Sequence, residues 1–341
     1  MGRKKVKAWF VVVAVALLVS FAHVAAAAAP DVGFYKGKVI NYIVSTKPGG
    51  GYDTYARLIA KYMQKYIPGS TVIVKNLPGA GHIIGANETY LAKPDGLTIG
   101  TFNTGLIYSQ IVGFPGIRFD MAKYDWIGKA SSETRVLVVG IKSPYMTFQD
   151  VLNSKEPIKM AASGVGTAAH NDGLIVAAAT GANFKMIPGY PGREGEMAMM
   201  RGEVVGQVGS YVGLTGFIKA KECRVLLQIA VKKHKDLKDV PLASEMKFSA
   251  KGKKILAVIN SVAELGRLTA ATPKTPPARL QVLRDAYKKA LTDPDLLRDA
   301  KKMDLEIDPG FGEEVAKLVK EAINQPPDNM EVLKKTIKVE N

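Results

Sequence analysis

Two glycine-rich segments of this chain could hold a small anion. Residues 47–54 read Lys-Pro-Gly-Gly-Gly-Tyr-Asp-Thr, and residues 163–167 read Ser-Gly-Val-Gly-Thr. Each segment lies between a predicted strand and a predicted helix, and a helix N-terminus offers free N–H groups and the positive end of its dipole. Because glycine has no Cβ, both segments could approach a carboxylate or another oxyanion closely, with Thr54 and Thr167 as hydroxyl donors.

The alternative interpretation is that these glycines only shape tight turns between strand and helix. A single segment would favour that interpretation, whereas two segments at equivalent places in two similar units favour binding. His170 begins the helix that follows the second segment. It could donate a hydrogen bond into a shared cleft, or it could cap or pack that helix.

Other kinds of chemistry lack a complete pattern. The Gly-x-x-x-x-Gly-Lys-Ser/Thr phosphate loop is absent, and Ala169 occupies the third glycine position of the dinucleotide-binding pattern. His82, His170 and His234 have no metal-ligand spacing to each other or to Cys223, so we predict neither a metal site nor a cofactor. Cys223 leads into a predicted strand and is interpreted as a structural thiol.

The elements that must position the two segments follow one plan twice: strand, glycine segment, helix, strand. Runs of β-branched and aromatic residues predict the strands. Apolar residues at helical spacing predict the first helix, and an apolar run predicts the helix after the second segment. The predicted strands cover 39–45, 71–75, 97–102, 158–162, 184–187 and 204–208, and the predicted helices cover 55–66, 82–91, 168–180 and 194–201. In open α/β sheets ligands bind where strands end and helices begin, so two facing lobes would each present one segment to a shared cleft.

Three amphipathic helices, over 277–291, 296–303 and 313–323, end the chain. They bring no strands of their own, so we expect the chain to return to the first lobe and to lay these helices over it. The two crossings, near 125–137 and 258–272, would form a two-stranded hinge.

The length of 341 residues suggests about two domains. The sequence therefore predicts an α/β fold of two lobes joined by a two-stranded hinge. We expect lobe 1 to comprise residues 30–130 plus 262–341, and lobe 2 to comprise residues 131–261.

The first 29 residues have the three parts of a secretory signal peptide. Basic residues stand among the first seven positions, an apolar run covers 8–21, and small residues at 24–29 offer cleavage positions. The apolar run is short for a membrane span, and an uncleaved anchor is the alternative. We expect a cleaved, soluble and periplasmic chain.

The composition is that of a folded, basic protein. Lys and Arg number 47 against 31 Asp and Glu, a net charge of +16, and removal of residues 1–29 takes away four positive charges and no negative one, leaving +12. The export signal argues against a nucleic-acid partner, and a basic surface favours encounter with anionic solutes. With 47% hydrophobic and 23% charged residues, the chain fits neither a disordered protein nor a polytopic membrane protein.

The ordered set of motifs resembles the Bug family, the TctC-like solute receptors of tripartite tricarboxylate transporters. The likeness is carried by residues 48–57, 76–81, 94–96, 163–170 and 190–192, which fall in the family's order and spacing. It implies a two-lobed periplasmic binding protein of the Venus-flytrap, type II-like architecture. Such a receptor would close on a small carboxylate and deliver it to membrane permease subunits without catalysis, and we expect it to be a monomer.

In that family, main-chain groups and waters at the loops after the first strand of each lobe hold most of the ligand. Tyr52 stands where the family usually has a small hydroxyl residue, and Lys47 where an uncharged residue is common. The binding positions that the resemblance implies here are Gly49, Gly50, Gly51, Tyr52, Asp53, Thr54, Asn103, Thr104, Ser163, Gly164, Gly166, Thr167, His170, Tyr190 and Ser210.

Two functions of other classes stay open at this point. An exported hydrolase could use Ser163 as nucleophile and His170 as base, although Ala161 breaks the Gly-x-Ser-x-Gly pattern. Such an enzyme would need a base with an orienting partner in the same cleft. A ligand-sensing partner of a membrane sensor could instead dock through the basic surface.

Overall fold

The computed structural model describes residues 29–337, so the predicted signal peptide lies outside the described residues except for Ala29. Two mixed sheets with helices on their faces make up this part of the chain, which confirms the predicted α/β fold of two lobes. The strands are β1 (Val39–Val44), β2 (Thr71–Asn76), β3 (Thr98–Phe102), β4 (Asp125–Lys129), β5 (Arg135–Gly140), β6 (Ile158–Ala162), β7 (Phe184–Pro188), β8 (Gly206–Ser210), β9 (Cys223–Ile229), β10 (Leu268–Ala271) and β11 (Gly310–Phe311).

The first sheet has the strand order β11-β4-β10-β3-β1-β2. β1 is parallel to β2 and β3, whereas β10 is antiparallel to β3 and β4. Because β1 and β3 point the same way, the loops that follow them leave the sheet at one edge. We call this sheet with its helices lobe 1.

The second sheet has the strand order β7-β6-β8-β5-β9. β6 is parallel to β7 and β8, whereas β5 is antiparallel to β8 and β9. The loops after β6 and β8 therefore also leave their sheet at one edge, and β5 between its neighbours is buried along its whole length. We call this sheet with its helices lobe 2.

The helices follow the strands and cover both sheets. They are α1 (Gly51–Tyr66), α2 (Ile83–Leu91), α3 (Gly105–Val112), α4 (Phe148–Leu152), α5 (Ala168–Thr180), α6 (Glu194–Arg201), α7 (Tyr211–Lys219), α8 (Ala250–Ala263), α9 (Pro277–Leu291), α10 (Pro294–Lys302), α11 (Gly312–Ile323) and α12 (Pro327–Thr336). Capping residues set some of these bounds: the Asp293 carboxylate accepts from the Asp295 N–H at 2.8 Å, and Pro294 occupies the first turn of α10.

The chain passes between the sheets twice, between Lys129 and Arg135 and between Ile229 and Leu268. The lobe boundaries at 130/131 and 261/262 stay predictions. Within residues 29–337, no helix is long and apolar enough to cross a bilayer.

The lobes are joined by packing as well as by the two crossings. One buried apolar cluster includes Phe102 and Leu106 on the lobe 1 side and Leu137 and Val208 of the second sheet. The last helix, α12, contacts α3 of lobe 1 and also α5 and α8 of lobe 2. Buried apolar surface therefore contributes to holding the two lobes together.

Candidate ligand-binding cleft

A cavity of about 340 Å³ lies between the two lobes. Lobe 1 lines it with the loop between β1 and α1, and lobe 2 lines it with the loop between β6 and α5 and the first turns of α6 and α7. Strand-to-helix loops from both lobes thus face one space, the usual position of a ligand in an α/β fold. The predicted binding positions among its lining are Gly49, Gly50, Gly51, Tyr52, Thr54, Asn103, Ser163, Thr167 and Ser210.

The first glycine loop, residues 47–54, presents a helix N-terminus to this cavity. Gly50 is the N-cap of α1, so the N–H groups of Gly51, Tyr52 and Asp53 belong to the first turn and have no acceptor within the helix. Gly49 has a φ of +81°, which glycine adopts without strain. The loop can therefore offer N–H donors and the positive end of the α1 dipole to an oxyanion.

Asp53 shapes this loop from behind rather than lining the cavity. Its carboxylate accepts from the Gly49 N–H at 2.9 Å, from Asn76 Nδ2 at 2.9 Å and from Arg57 Nε at 3.0 Å. Burial acts to raise the pKa of Asp53, but these hydrogen bonds outweigh it and hold the pKa below its usual value. Asp53 is therefore ionised at neutral pH and fixes the loop's conformation.

The second glycine loop, residues 163–167, lies in direct contact with lobe 1. Oδ1 of Asn103, from lobe 1, accepts a hydrogen bond from the Ala168 N–H at the start of α5, at 3.1 Å. The carbonyl oxygen of Gly166 accepts from Ser109 Oγ of α3 at 3.3 Å. One of the free donors at the N-terminus of α5 is thus already occupied by a protein group.

Six predicted binding positions lie outside the lining of the cavity. His170 has its Nδ1 3.3 Å from Asn171 Oδ1, and burial lowers the pKa of His170 below its usual value. The hydroxyl of Tyr190 points to Glu203 Oε2 at 3.5 Å. The six are Asp53, Thr104, Gly164, Gly166, His170 and Tyr190.

A chain of buried charges at the cavity wall was not predicted. Glu133 pairs with Arg135 through Oε2 and Nη1 at 3.1 Å, and with Arg267 through Oε1 and Nη1 at 2.9 Å. Arg135 also donates from Nε to Asp172 Oδ2 at 2.7 Å. Burial alone would lower the pKa of Arg135, but the carboxylates of Asp172 and Glu133 raise it overall, so the guanidinium stays charged. Glu133, Arg135 and Arg267 line the cavity.

Arg267 lies against two aromatic rings of α1. Its Cζ is 4.2 Å from the centroid of the Tyr52 ring and 5.0 Å from that of Tyr55. The Tyr52 hydroxyl accepts from the Thr104 N–H at 3.3 Å, which fixes the ring. Tyr52 therefore gives the guanidinium an aromatic surface that a small hydroxyl residue at this position would not provide.

The mouth of the cavity carries further charge. Lys47 Nζ is 3.5 Å from Glu194 Oε1, an exposed pair that joins the two lobes, and Arg193 lines the opening beside it. His82 lines the cavity next to the first glycine loop, with Nδ1 2.9 Å from the Ser45 carbonyl oxygen. Burial lowers the pKa of His82, so the ring is neutral at pH 7.

The groups that a metal centre or the Ser163–His170 hydrolase would need are not assembled among the described residues. Within residues 29–337, no three His, Cys, Asp or Glu side chains are grouped to hold a metal ion. The only hydrogen bond to the His170 ring among the described residues involves Asn171, so His170 is not hydrogen-bonded to Ser163. Burial raises the pKa of Cys223 to about 12, which suits a structural thiol and not a nucleophile.

Some of the missed residues carried a signal in the sequence and others did not. Arg135 opens the apolar strand Arg-Val-Leu-Val-Val, and a charge at the start of a buried strand indicates a partner for it. Glu133 and Arg267 lie on the two separate crossings between the lobes, and nothing near either of them in sequence predicts that they meet.

A family model and a curated relative match most of the chain. The model described as "Tripartite tricarboxylate transporter family receptor" matches residues 55–333. A UPF0065 protein from a Pseudomonas species is 27% identical over 293 residues, which cover 84% of this chain and 83% of the relative.

Solved structures of periplasmic binding proteins have the same fold. The periplasmic binding protein BugD superposes with a TM-score of 0.74 at 23% identity, over 89% of this chain and 98% of BugD. The protein MatC from Rhodopseudomonas palustris, solved with bound malate, superposes with a TM-score of 0.71 at 20% identity, over 88% of this chain and 99% of MatC. At these identities the likeness shows the two-lobed fold alone.

Proposed function

Because the chain belongs to the receptor family of the tripartite tricarboxylate transporters, a family of solute-binding proteins and not of enzymes, we propose that it captures a small organic carboxylate between its two lobes. The observation that carries this proposal is the first turn of α1. Its free N–H groups and Gly49, Gly50 and Gly51 line a cavity between the lobes. Backbone donors at the positive end of a helix dipole recognise a carboxylate without a dedicated side chain.

The size and polarity of the cavity support a small ligand. A volume of about 340 Å³ lies at the lower end of the range for small-molecule sites. Lobe 2 adds the hydroxyls of Ser163 and Ser210 to the lining, and these can serve as donors or acceptors. The hydroxyls of Thr54 and Thr167, which were expected to be donors to the ligand, instead donate to the carbonyl oxygens of Gly50 at 3.1 Å and Gly164 at 2.8 Å. The malate bound to the related fold of MatC is a ligand of this class.

The two lobes would close over the ligand as units. We place lobe 1 at residues 30–130 plus 262–341 and lobe 2 at residues 131–261, and the two chain crossings would act as the hinge. Closure would bring the first glycine loop and the lobe 2 donors onto one ligand, so that several weak contacts add up to useful affinity.

Delivery to a membrane permease is the further step that we propose. The family description names a receptor of a three-part transporter, and a signal-like N-terminus would direct the chain out of the cytoplasm as a cleaved, monomeric periplasmic protein. Mass spectrometry of the exported protein tests cleavage, light scattering tests the monomer, and uptake of radiolabelled ligand in a deletion strain tests delivery.

A thermal-shift panel tests the binding function. The purified protein is heated with malate, succinate, adipate, citrate and benzoate, and with the carboxamide of each acid. We expect at least one acid to raise the melting temperature, since ligand at 100 times its Kd adds about 2.7 kcal/mol of stability and several degrees. The matched carboxamide should have a much smaller effect. If no acid in the panel stabilises the protein, the proposed function is wrong.

A further inference from the structure

We propose that the guanidinium of Arg267 holds the ligand's carboxylate directly, together with the N–H groups of the first turn of α1. This inference rests on the proposed function and deepens it. It adds a side-chain charge to a site where the family resemblance implies main-chain groups and waters.

Arg267 is buried at the wall of the cavity and lies against the N-terminus of α1. Its exposed fraction is 3%, and it is one of the lining residues. Arg267 Nη2 lies 3.0 Å from the point where a Cβ on Gly51 would stand. The guanidinium and the free N–H groups of the first helical turn therefore converge on one region of the cavity.

The hydrogen bonding of this guanidinium is incomplete. A guanidinium has five N–H donors, but the contact of Arg267 Nη1 with Glu133 Oε1 at 2.9 Å is an ion pair without hydrogen-bond geometry. Arg267 Nε is buried and has no hydrogen-bond partner among the described residues. Nε is enclosed by protein, so the donor left for a ligand is Nη2, which makes no hydrogen bond among the described residues. Buried donors almost always have acceptors, and a ligand in the cavity would supply one for Nη2.

The electrostatic arrangement is also one that an anion would complete. A cation at the positive end of a helix dipole is unfavourable, and Arg267 occupies that place beside α1. Glu133, which also lines the cavity, balances part of this charge. A carboxylate in the cavity would lie between two positive groups, the helix end and the guanidinium, and would be favoured by both.

The backbone at Arg267 is strained in a way that aims the side chain. Its φ is +57°, in the left-handed region that residues with a side chain rarely adopt. The carbonyl oxygen of Arg267 accepts from the Ala130 N–H of the other crossing at 3.3 Å, and the rings of Tyr52 and Tyr55 hold the guanidinium. Strain of this kind persists at functional sites, where the surrounding contacts enforce it.

Arg135 does not have the same role, although it also lines the cavity. Its guanidinium is engaged by Asp172 at 2.7 Å and by Glu133 at 3.1 Å, so two carboxylates already satisfy it. Arg135 is a structural charge, whereas Arg267 has donors left over. The difference makes Arg267 the residue that would distinguish a carboxylate from a neutral group of the same shape.

The test measures affinities of the acids and carboxamides of the same panel by calorimetry. We expect Arg267→Gln to weaken binding of the acid about 10- to 100-fold and to lower the ratio of acid to carboxamide affinity, because a hydrogen bond to a charged group is lost. Arg267→Lys should retain part of the ratio, since it keeps the charge. Glu133→Gln should tighten acid binding by up to about tenfold, because Arg267 loses the anion that competes for it.

The controls distinguish the role of Arg267 from the proposed receptor function. Arg284→Gln removes a positive charge of lobe 1 that pairs with Glu313 outside the cavity lining, and should leave the ratio unchanged. A wild-type ratio in Arg267→Gln would overturn the role of Arg267 while leaving the receptor function intact. If that variant does not fold, a wild-type ratio in Arg267→Lys together with unchanged acid binding in Glu133→Gln would overturn it. Failure of every acid to bind the wild-type protein would overturn both proposals.

Discussion

The two glycine loops look alike in sequence and have different surroundings in the structure. The first glycine loop leaves the N–H groups of its helix open to the cavity, and a buried guanidinium stands beside them. In the second glycine loop, Asn103 of the opposite lobe accepts from the Ala168 N–H, and Ser109 donates to the Gly166 carbonyl oxygen. Both loops line the ligand-sized space, but only the first leaves its helix N-terminus open to it, whereas the second also contacts the opposite lobe.

This difference suggests that the two glycine loops, although alike in sequence, have different functions. The first loop is prepared for an anion, since Asp53 fixes its shape and Arg267 adds a positive charge. The second loop supplies the contact that brings lobe 2 against lobe 1, and Ser163 and Thr167 beside that contact still reach the cavity. A ligand on the first loop would therefore be covered by the lobe that the second loop positions.

The largest effect on stability is expected from breaking the buried ion pair of α5, the helix that follows the second glycine loop. Asp172 of α5 is buried and pairs with Arg135 at 2.7 Å. Asp172→Ala would leave the buried guanidinium with one fewer counter-charge, and we expect about 3 kcal/mol less stability in urea unfolding. Glu331→Ala breaks an exposed pair with Lys335 and should cause no measurable loss. Equal stabilities of the two variants would show that the charges behind the second loop are not structural.

A valine at one glycine of each loop compares their roles in binding. A Cβ on Gly51 would lie 3.0 Å from Arg267 Nη2 and 3.4 Å from its Cζ, and the guanidinium is held by two rings and by Glu133. We expect Gly51→Val to weaken carboxylate binding about 100-fold in calorimetry.

The matched variant is Gly164→Val in the second glycine loop. A Cβ there meets only Thr167 Cγ2, at 3.7 Å, and the backbone is not in the left-handed region. We expect a change in affinity of about twofold or less. Equal losses at Gly51 and Gly164 would contradict the division of tasks between the loops.

Loss of the contact between the lobes should have an intermediate effect. Asn103→Ala removes the acceptor for the Ala168 N–H and for the Gly105 N–H at 2.9 Å. We expect a larger radius of gyration of the ligand-free protein in X-ray scattering and a loss of affinity of about tenfold. Ser109→Ala removes a longer bond of 3.3 Å and should have a smaller effect on both quantities. An unchanged radius of gyration in Asn103→Ala would show that other contacts hold the lobes together.

Patterns that are local in sequence were predictable. The strand before each glycine segment clusters apolar residues, and the helices α1 and α9 repeat them at helical spacing. The helix α5 was located from its apolar run after the second glycine segment, since its apolar residues do not gather on one face. The helices α3 and α7 were missed because their sequences, Gly-Leu-Ile-Tyr-Ser-Gln-Ile-Val and Tyr-Val-Gly-Leu-Thr-Gly-Phe-Ile-Lys, are short and contain glycine, which has a low helix propensity.

Contacts between distant parts of the chain were not predictable in the same way. Glu133 and Arg267 meet because both crossings pass the cavity wall, and their separation in sequence leaves no periodic signal. The left-handed backbone of Arg267 also has no sequence signal, since glycine or asparagine would be expected there. The family pattern indicated the two loops, but it did not show that one of them would be covered by Asn103.

The smallest effect is expected on the pH dependence of the melting temperature, which also distinguishes the roles of the two glycine loops. Burial lowers the pKa of both His82 and His170 in the folded protein, below the value of 6.5 in the unfolded chain. The unfolded chain therefore binds protons first, and the folded protein loses stability as the pH falls below 6.5 toward the lower pKa of the folded state. His82→Gln and His170→Gln should each reduce the drop in melting temperature between pH 7 and pH 5.

A bound carboxylate favours the protonated form of His82, which lines the cavity, and has little influence on His170, which lies outside the lining. The stabilising ligand of the panel should therefore reduce the pH dependence of His170→Gln and leave that of His82→Gln unchanged. A ligand effect of equal size in both variants would contradict the assignment of the anion to the first glycine loop.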